Sequence, residues 1–222
     1  LRRSALGVIR IIFENKLHLN LRKLFANLLP ELWSVASVDQ ISEDILDFFR
    51  DRFRVFLLDR GGQHDLISAV LSSQDEVDLV KMSMKLNALT AFLDSSEGGD
   101  LLIGFKRANN ILRIEQGKDN KVYNDPDKVD KTLFEEASEV QLFDKFIGIS
   151  PQITQALENS NFEKALDILA SMREKIDDFF LEVKVNSGTA KLRQNRLYLL
   201  GIICSIFNEI ADFSKIEGGK FD

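Results

Sequence analysis

Apolar residues recur along this chain every three or four positions, the spacing that gathers them on one side of an α-helix and disfavours a sheet sandwich. Leu6, Ile9, Ile12 and Phe13 give a first helix its buried face. A second amphipathic piece runs from Asn20 through Leu29, where Pro30 is expected to interrupt it because proline lacks a backbone N–H. Trp33 then reads as the plug of a helix junction. Ser42, followed by Glu43 and Asp44, predicts a helix start, since a hydroxyl can cap free amides and acids favour the positive end of the helix dipole. That helix is expected to end at Gly61-Gly62. Its phenylalanines, Phe48, Phe49, Phe53 and Phe56, include pairs at spacings of three, four and seven and so predict core packing rather than base stacking.

Further helices are expected from about Asp65 to Leu71 and from Glu76 to Leu93, after which Ser95-Ser96-Glu97-Gly98-Gly99 reads as the clearest junction in the chain. Asp100 can cap the next helix, LLIGFKRANNILRI. Its faces separate: Leu101, Phe105, Ala108 and Leu112 fall on one side, while Lys106, Asn110 and Arg113 lie within about 60° of one another on the other. Gln116 to Asp130 reads as a loop, Glu135 to Ile147 as an acidic helix, and Ser150-Pro151 as the start of another. Asn161 caps FEKALDILASM. In the closing stretch, Arg173 to Ile216, two apolar segments flank a turn at Asn186-Ser187-Gly188. Leu192, Leu199, Ile203, Ile206 and Ile210 form one helical stripe, which Tyr198, Gly201, Ile202, Cys204 and Phe207 widen nearly all the way round. Such a helix must be wrapped by others. The uncharged run from Leu197 to Asn208 is too short to cross a bilayer. The pattern therefore predicts an all-α chain, with a multi-helix connector over residues 1–97 followed by a helical bundle over residues 98–222.

Composition narrows the choices. Of 222 residues, 45% are hydrophobic and 29% charged, ordinary values for a water-exposed globular protein. A single cysteine, Cys204, rules out a disulfide within the chain and favours a reduced, cytoplasmic setting. The net charge of −6 argues against non-specific nucleic-acid binding. The charge is unevenly spread, however. Residues 1–29 carry Arg2, Arg3, Arg10, Lys16, Arg22 and Lys23 against Glu14 alone, whereas residues 125–144 carry seven acids against Lys128 and Lys131. Locally basic helices on an acidic body suit the docking of a specific folded polyanion, and they suit a solvated scaffold equally well. The periodic pattern is already under way at Leu1, with no initiator methionine, which predicts a piece of a longer protein.

Catalytic constellations are scarce. There is no GxxxxGK[ST] phosphate loop, GxGxxG, CxxC or HExxH, and no GxSxG elbow presents a nucleophile. The His64-Asp65 dipeptide resembles adjacent ligands of metal phosphohydrolases, but His18 is the only other histidine and Asp65 reads more naturally as a helix cap. Arg193 and Arg196 lie about 60° apart on their helix and form a candidate phosphate clamp. The structural alternative for Arg196 is a carboxylate partner such as Asp177, Asp178 or Asp212.

Several segments, LRRSALGVIRII, LLDRGGQHDLISAVLSS, FKRANNIL, FFLEVKV, LRQNRLYLL and IADFSKI, stand in an order that resembles the beta subunit of the bacterial two-subunit glycyl-tRNA synthetases. That family ends in an all-helical anticodon-binding domain of the DALR type. The resemblance implies a non-catalytic, tRNA-recognising piece of a ligase. Residues 98–222 would be the anticodon-binding domain, and Lys106, Asn110, Arg113, Arg193 and Arg196 the tRNA-binding candidates. It further implies three partners: glycine tRNA, the alpha subunit and the remainder of the beta subunit. ATP and magnesium would belong to the alpha subunit, with no cofactor or metal site in this piece and no membrane association. The competing expectation is a non-catalytic helical adaptor that binds only protein.

Overall fold

The computed structural model describes the chain except residues 33–37, 74–75, 187 and 219–222, and except the side chains of residues 29–32 and 38–39. Among the described residues there are helices and short 3-10 turns but no strand, so the chain is all-α as its apolar spacing requires. It separates into two compact units, Leu1–Asn87 and Ala88–Asp222.

The first unit contains α1 (Arg2–Glu14), α2 (Leu21–Leu32), α3 (Val38–Leu58), α4 (His64–Val70) and the opening of α5 (Leu79–Leu93). Helix α3 packs against α1, α2 and α4. Ile9, Ile12, Phe53, Phe56, Leu66 and Ile67 are buried, and each fully buried side chain of this size stabilises by about 1.5–3 kcal/mol. Phe13 meets Phe56 edge-on at 5.2 Å, and Phe25 meets Phe49 at 5.5 Å. The expected core role of the phenylalanines therefore holds, with Phe48 and Phe49 half-buried.

Local starts and stops differ from expectation in instructive ways. Helix α3 begins at Val38, so Ser42 lies inside it, buried, its hydroxyl without a partner among the described residues instead of capping. Helix α2 continues past Pro30 to Leu32, because there the missing N–H removes only one bond near the helix end. Trp33 lies outside the described residues. Gly61, at φ 85°, closes the turn after α3 as predicted. At α4 the cap position is Gln63, and Asp65 sits in the first turn, accepting from the Leu66 amide at 2.9 Å. Asp78 caps α5, accepting from the Val80 and Lys81 amides, which places that start three residues later than the sequence suggested. His18 pairs with the same Asp78 at 3.1 Å. Among the described residues, no group of three or more His, Cys, Asp or Glu side chains is placed to hold a metal ion.

The second unit is built around α10 (Ala190–Ile210), which α6 (Ser96–Asp119), α7 (Ala137–Glu158) and α8 (Phe162–Ala170) contact directly. Helix α9 (Arg173–Glu182) packs on α6 and α7. Leu197 through Cys204, Ile206, Phe207 and Ile210 are all buried, so the predicted wrapped helix is the centre of this unit. Burial pushes the Cys204 thiol up to about 12, leaving it a small hydrophobe at neutral pH. Phe105 of α6, Phe207 of α10 and Phe213 of the 3-10 turn Phe213–Lys215 form a closed aromatic cluster, with centroids 4.8, 5.5 and 5.2 Å apart.

Two expectations are corrected here. The glycine-rich segment read as a junction ahead of a helix capped by Asp100 is itself the first turn of α6. Ser95 caps it by accepting from the Gly98 amide, and a Cβ on Gly98 would stand 2.0 Å from the Phe92 carbonyl oxygen, so close passage explains the glycine. Likewise α7 is one helix that runs through Pro151. The Ser150 hydroxyl and the Gln152 amide donate to the Phe146 and Gly148 carbonyls, supplying side-chain bonds around the break. Asn161 does cap α8, accepting from the Lys164 amide. Among the described residues no helix is long and apolar enough to cross a membrane.

Candidate functional site

Five polar side chains on two helices are the candidates, and the fold treats the two helices differently. At the start of α10, three residues in four tie neighbouring segments to the bundle. Arg193 reaches across to the end of α6, where it donates to Glu115 and, at 2.8 Å, to Asp119. Tyr123 donates to the same Asp119 at 2.6 Å, and Lys118 closes on Glu115 at 2.7 Å. Glu115 is held below the ordinary carboxylate range by its bonds to Lys118 and Arg193, and Asp119 by those to Tyr123 and Arg193. Arg193 is correspondingly held well above its usual value. Asn195 clasps the preceding loop in both directions, accepting from the Asp130 amide at 2.7 Å and donating to the Asp130 carbonyl at 3.0 Å.

Arg196 is buried. Its Nε donates to Glu139 at 2.9 Å, its Nη1 to the Lys184 carbonyl at 3.1 Å and its Nη2 to Glu135 at 3.3 Å. Burial raises the Glu139 carboxyl, but Arg196 and the Glu136 and Glu135 amides outweigh that and hold it below its ordinary value. The partners suggested by sequence spacing are engaged elsewhere: Asp177 with Arg173, Asp178 with Lys175, and Asp212 with Ser214 and Lys215. Arg193 and Arg196 thus turn to different carboxylates, and the structure does not bring them together on an open surface.

Helix α6 shows the opposite arrangement. Its inner side is pinned along its length: Leu101, Phe105, Ala108 and Leu112 are buried, and a Cβ on Gly104 would stand 3.1 Å from Ile176 of α9. Its outer side is left open. Asn110 and Arg113 are exposed and Lys106 is half-exposed, as the wheel predicted, and Lys106 donates to the Gly218 carbonyl. Arg113 has no ion pair or hydrogen bond among the described residues. The same surface continues through Ile103, Arg107 and Ile114, which lie within about 40° of one another on an ideal helix. Arg107 is exposed and stands over the ring of Phe180, 4.3 Å from its centroid. Phe180 is half-buried and Phe179, edge-on to it at 5.4 Å, is fully buried.

Sequence reasoning passed over Arg107 and the clasp residues Glu115, Glu139 and Asn195. A signal for Arg107 existed, since it follows Lys106 and the helical turn carries it toward Ile103 and Ile114. For the carboxylates the pairing is long-range, and only the packing of helices supplies it.

The same two helices fall within regions shared with known proteins. Residues 1–72 match the family described as glycyl-tRNA synthetase beta subunit, and residues 101–217 match the DALR anticodon binding domain. The chain is similar to the glycine--tRNA ligase beta subunit of Ruegeria sp. (strain TM1040), 38% identical over 218 residues. It is likewise similar to those of Rhodospirillum centenum (strain ATCC 51521 / SW), 39% identical, and Phenylobacterium zucineum (strain HLK1), 38% identical. In each case 98% of this chain is covered and 30% of the relative, so the chain spans about 30% of the length of the curated relatives it matches. The second match begins at the buried Leu101 of α6 and closes just beyond the Phe213–Lys215 turn, enclosing the α6 face and the α10 clasps together. By the second match, which spans more than half of the chain, the chain belongs to the DALR anticodon binding domain family.

Proposed function

We propose that this chain supplies tRNA recognition to a glycine–tRNA ligase, with residues 98–222 as the anticodon-binding domain and residues 1–97 as the connector to the rest of the beta subunit. In this account glycine activation, with its ATP and magnesium, is the work of the alpha subunit, and the assembly operates in the cytoplasm. The observation that carries the proposal is the open outer side of α6 inside the DALR match, where Lys106, Asn110 and Arg113 stand together on an acidic chain. Cations of this kind hold a phosphate backbone, while an amide such as that of Asn110 can read a base edge. Arg193 and Arg196 serve the interface indirectly, by fixing the end of α6 and the start of α7.

The test is a titration of the 222-residue chain with glycine tRNA and with a tRNA of different anticodon, at low and moderate salt. Tighter binding of glycine tRNA that weakens with salt is expected. Equal binding of the two, or none, would contradict the proposal and favour the protein-adaptor alternative.

A further inference from the structure

We infer that the cleft beside Arg107 is a slot for a single unstacked nucleobase of the anticodon loop; this rests on the tRNA-binding account above. The cleft, about 430 Å³, lies between α6 and the last turn of α9 with the segment that follows it, and has Arg107, Ile111, Phe180, Leu181, Lys184 and Asn186 around it. Its pieces match what a splayed-out base needs. Arg107 caps the Phe180 ring at 4.3 Å, and Phe180 is itself braced by the fully buried Phe179, so the guanidinium stands on a fixed support with its outer side toward solvent. A flat, charged group held this way is a stacking platform for any base, by π-contact and cation–π attraction.

Leu181, 85% exposed, adds an apolar edge that a packed protein core leaves unused. Exposed Asn186 brings both a donor and an acceptor to the rim. The electrostatics favour a polyanion over an apolar peptide. Arg107 has no ion pair or hydrogen bond among the described residues, and Arg107 and Lys184 outnumber Glu182, the one acid of the lining. The exposed or half-exposed Lys106, Asn110 and Arg113 lie on the adjoining strip of α6. A strand whose phosphates track that strip would bring the neighbouring base over Arg107. The cations hold the backbone and the cleft takes the base.

The experiment places 2-aminopurine at one anticodon-loop position at a time in glycine tRNA and titrates it with the 222-residue chain. A change in emission at one position is expected, together with its loss in Phe180→Leu. Arg107→Ala should weaken binding about tenfold, the contribution of one stacked base. Arg107→Lys should remain weak, because lysine restores the charge but not the plane. Wild-type affinity or wild-type emission in Arg107→Ala would overturn the slot, and would leave the cleft to a protein segment if Lys106→Ala/Arg113→Ala still weakens tRNA binding. A wild-type chain that binds no tRNA would overturn both the slot and the account on which it rests.

Discussion

The two basic helices of the second unit carry similar residues and put them to opposite uses. On α10, Arg193 and Arg196 are drawn inward, each onto carboxylates from a helix far away in sequence. On α6, Lys106, Arg107 and Arg113 remain on the outer side, because the inner side is fully occupied by Phe105, Gly104 and their neighbours. What separates a structural arginine from one available to a ligand is therefore whether a buried acid lies opposite. The difference can be broken or sharpened residue by residue.

The largest effect is expected at Arg196. Its replacement by methionine leaves Glu139, fully buried, without its cation, and breaking such a pair costs about 3–5 kcal/mol. Chemical denaturation followed by circular dichroism should show the loss, and a change below about 1 kcal/mol would mean that the pair does little to hold α7 to α10. Arg193→Ala should be milder, on the order of 2 kcal/mol, since the pair it removes with Glu115 is only partly buried and Lys118 remains on that carboxylate.

Acid should act on the same clasps. Glu139 and Glu115 have folded values depressed below the ordinary 4.5, so their contribution is complete above that value and is lost as pH falls through the depressed ones. Melting temperature is expected to hold steady near neutrality and to drop below about pH 4.5. The drop should be shallower in Arg193→Ala, in which Glu115 no longer has one of the bonds that depress it. Smallest of all should be the stability effect of Lys106→Ala/Arg113→Ala, within about 0.5 kcal/mol, because neither side chain closes an ion pair among the described residues.

The boundary between these two behaviours was only partly legible in the sequence. The α6 wheel separated Leu101, Phe105, Ala108 and Leu112 from Lys106, Asn110 and Arg113, and the fold follows it, because a 3.6-residue period is a local property. The wrapped character of α10 was legible for the same reason. Arg196 was not: its expected partners were acids close by on α9 or just past α10, whereas Glu139 comes from α7, 57 residues away in sequence. The caps show a related limit. Ser42 and Asp100 have the right chemistry for helix starts, but the helices begin at Val38 and Ser96. At α6 the close passage of Gly98 by the Phe92 carbonyl takes a glycine-rich segment into the helix. Pro151 likewise sits inside α7, where side-chain donors serve the carbonyls around it.

The most direct test of the central claim is the salt dependence of glycine-tRNA affinity for the wild-type chain and for Lys106→Ala/Arg113→Ala. If the outer side of α6 holds the RNA backbone, the double variant should bind more weakly, and its slope of log affinity against log salt should be shallower by about 0.7 for each phosphate that is no longer neutralised. A double variant with the wild-type slope and affinity would contradict the account, and would place the tRNA interface elsewhere than the open side of α6.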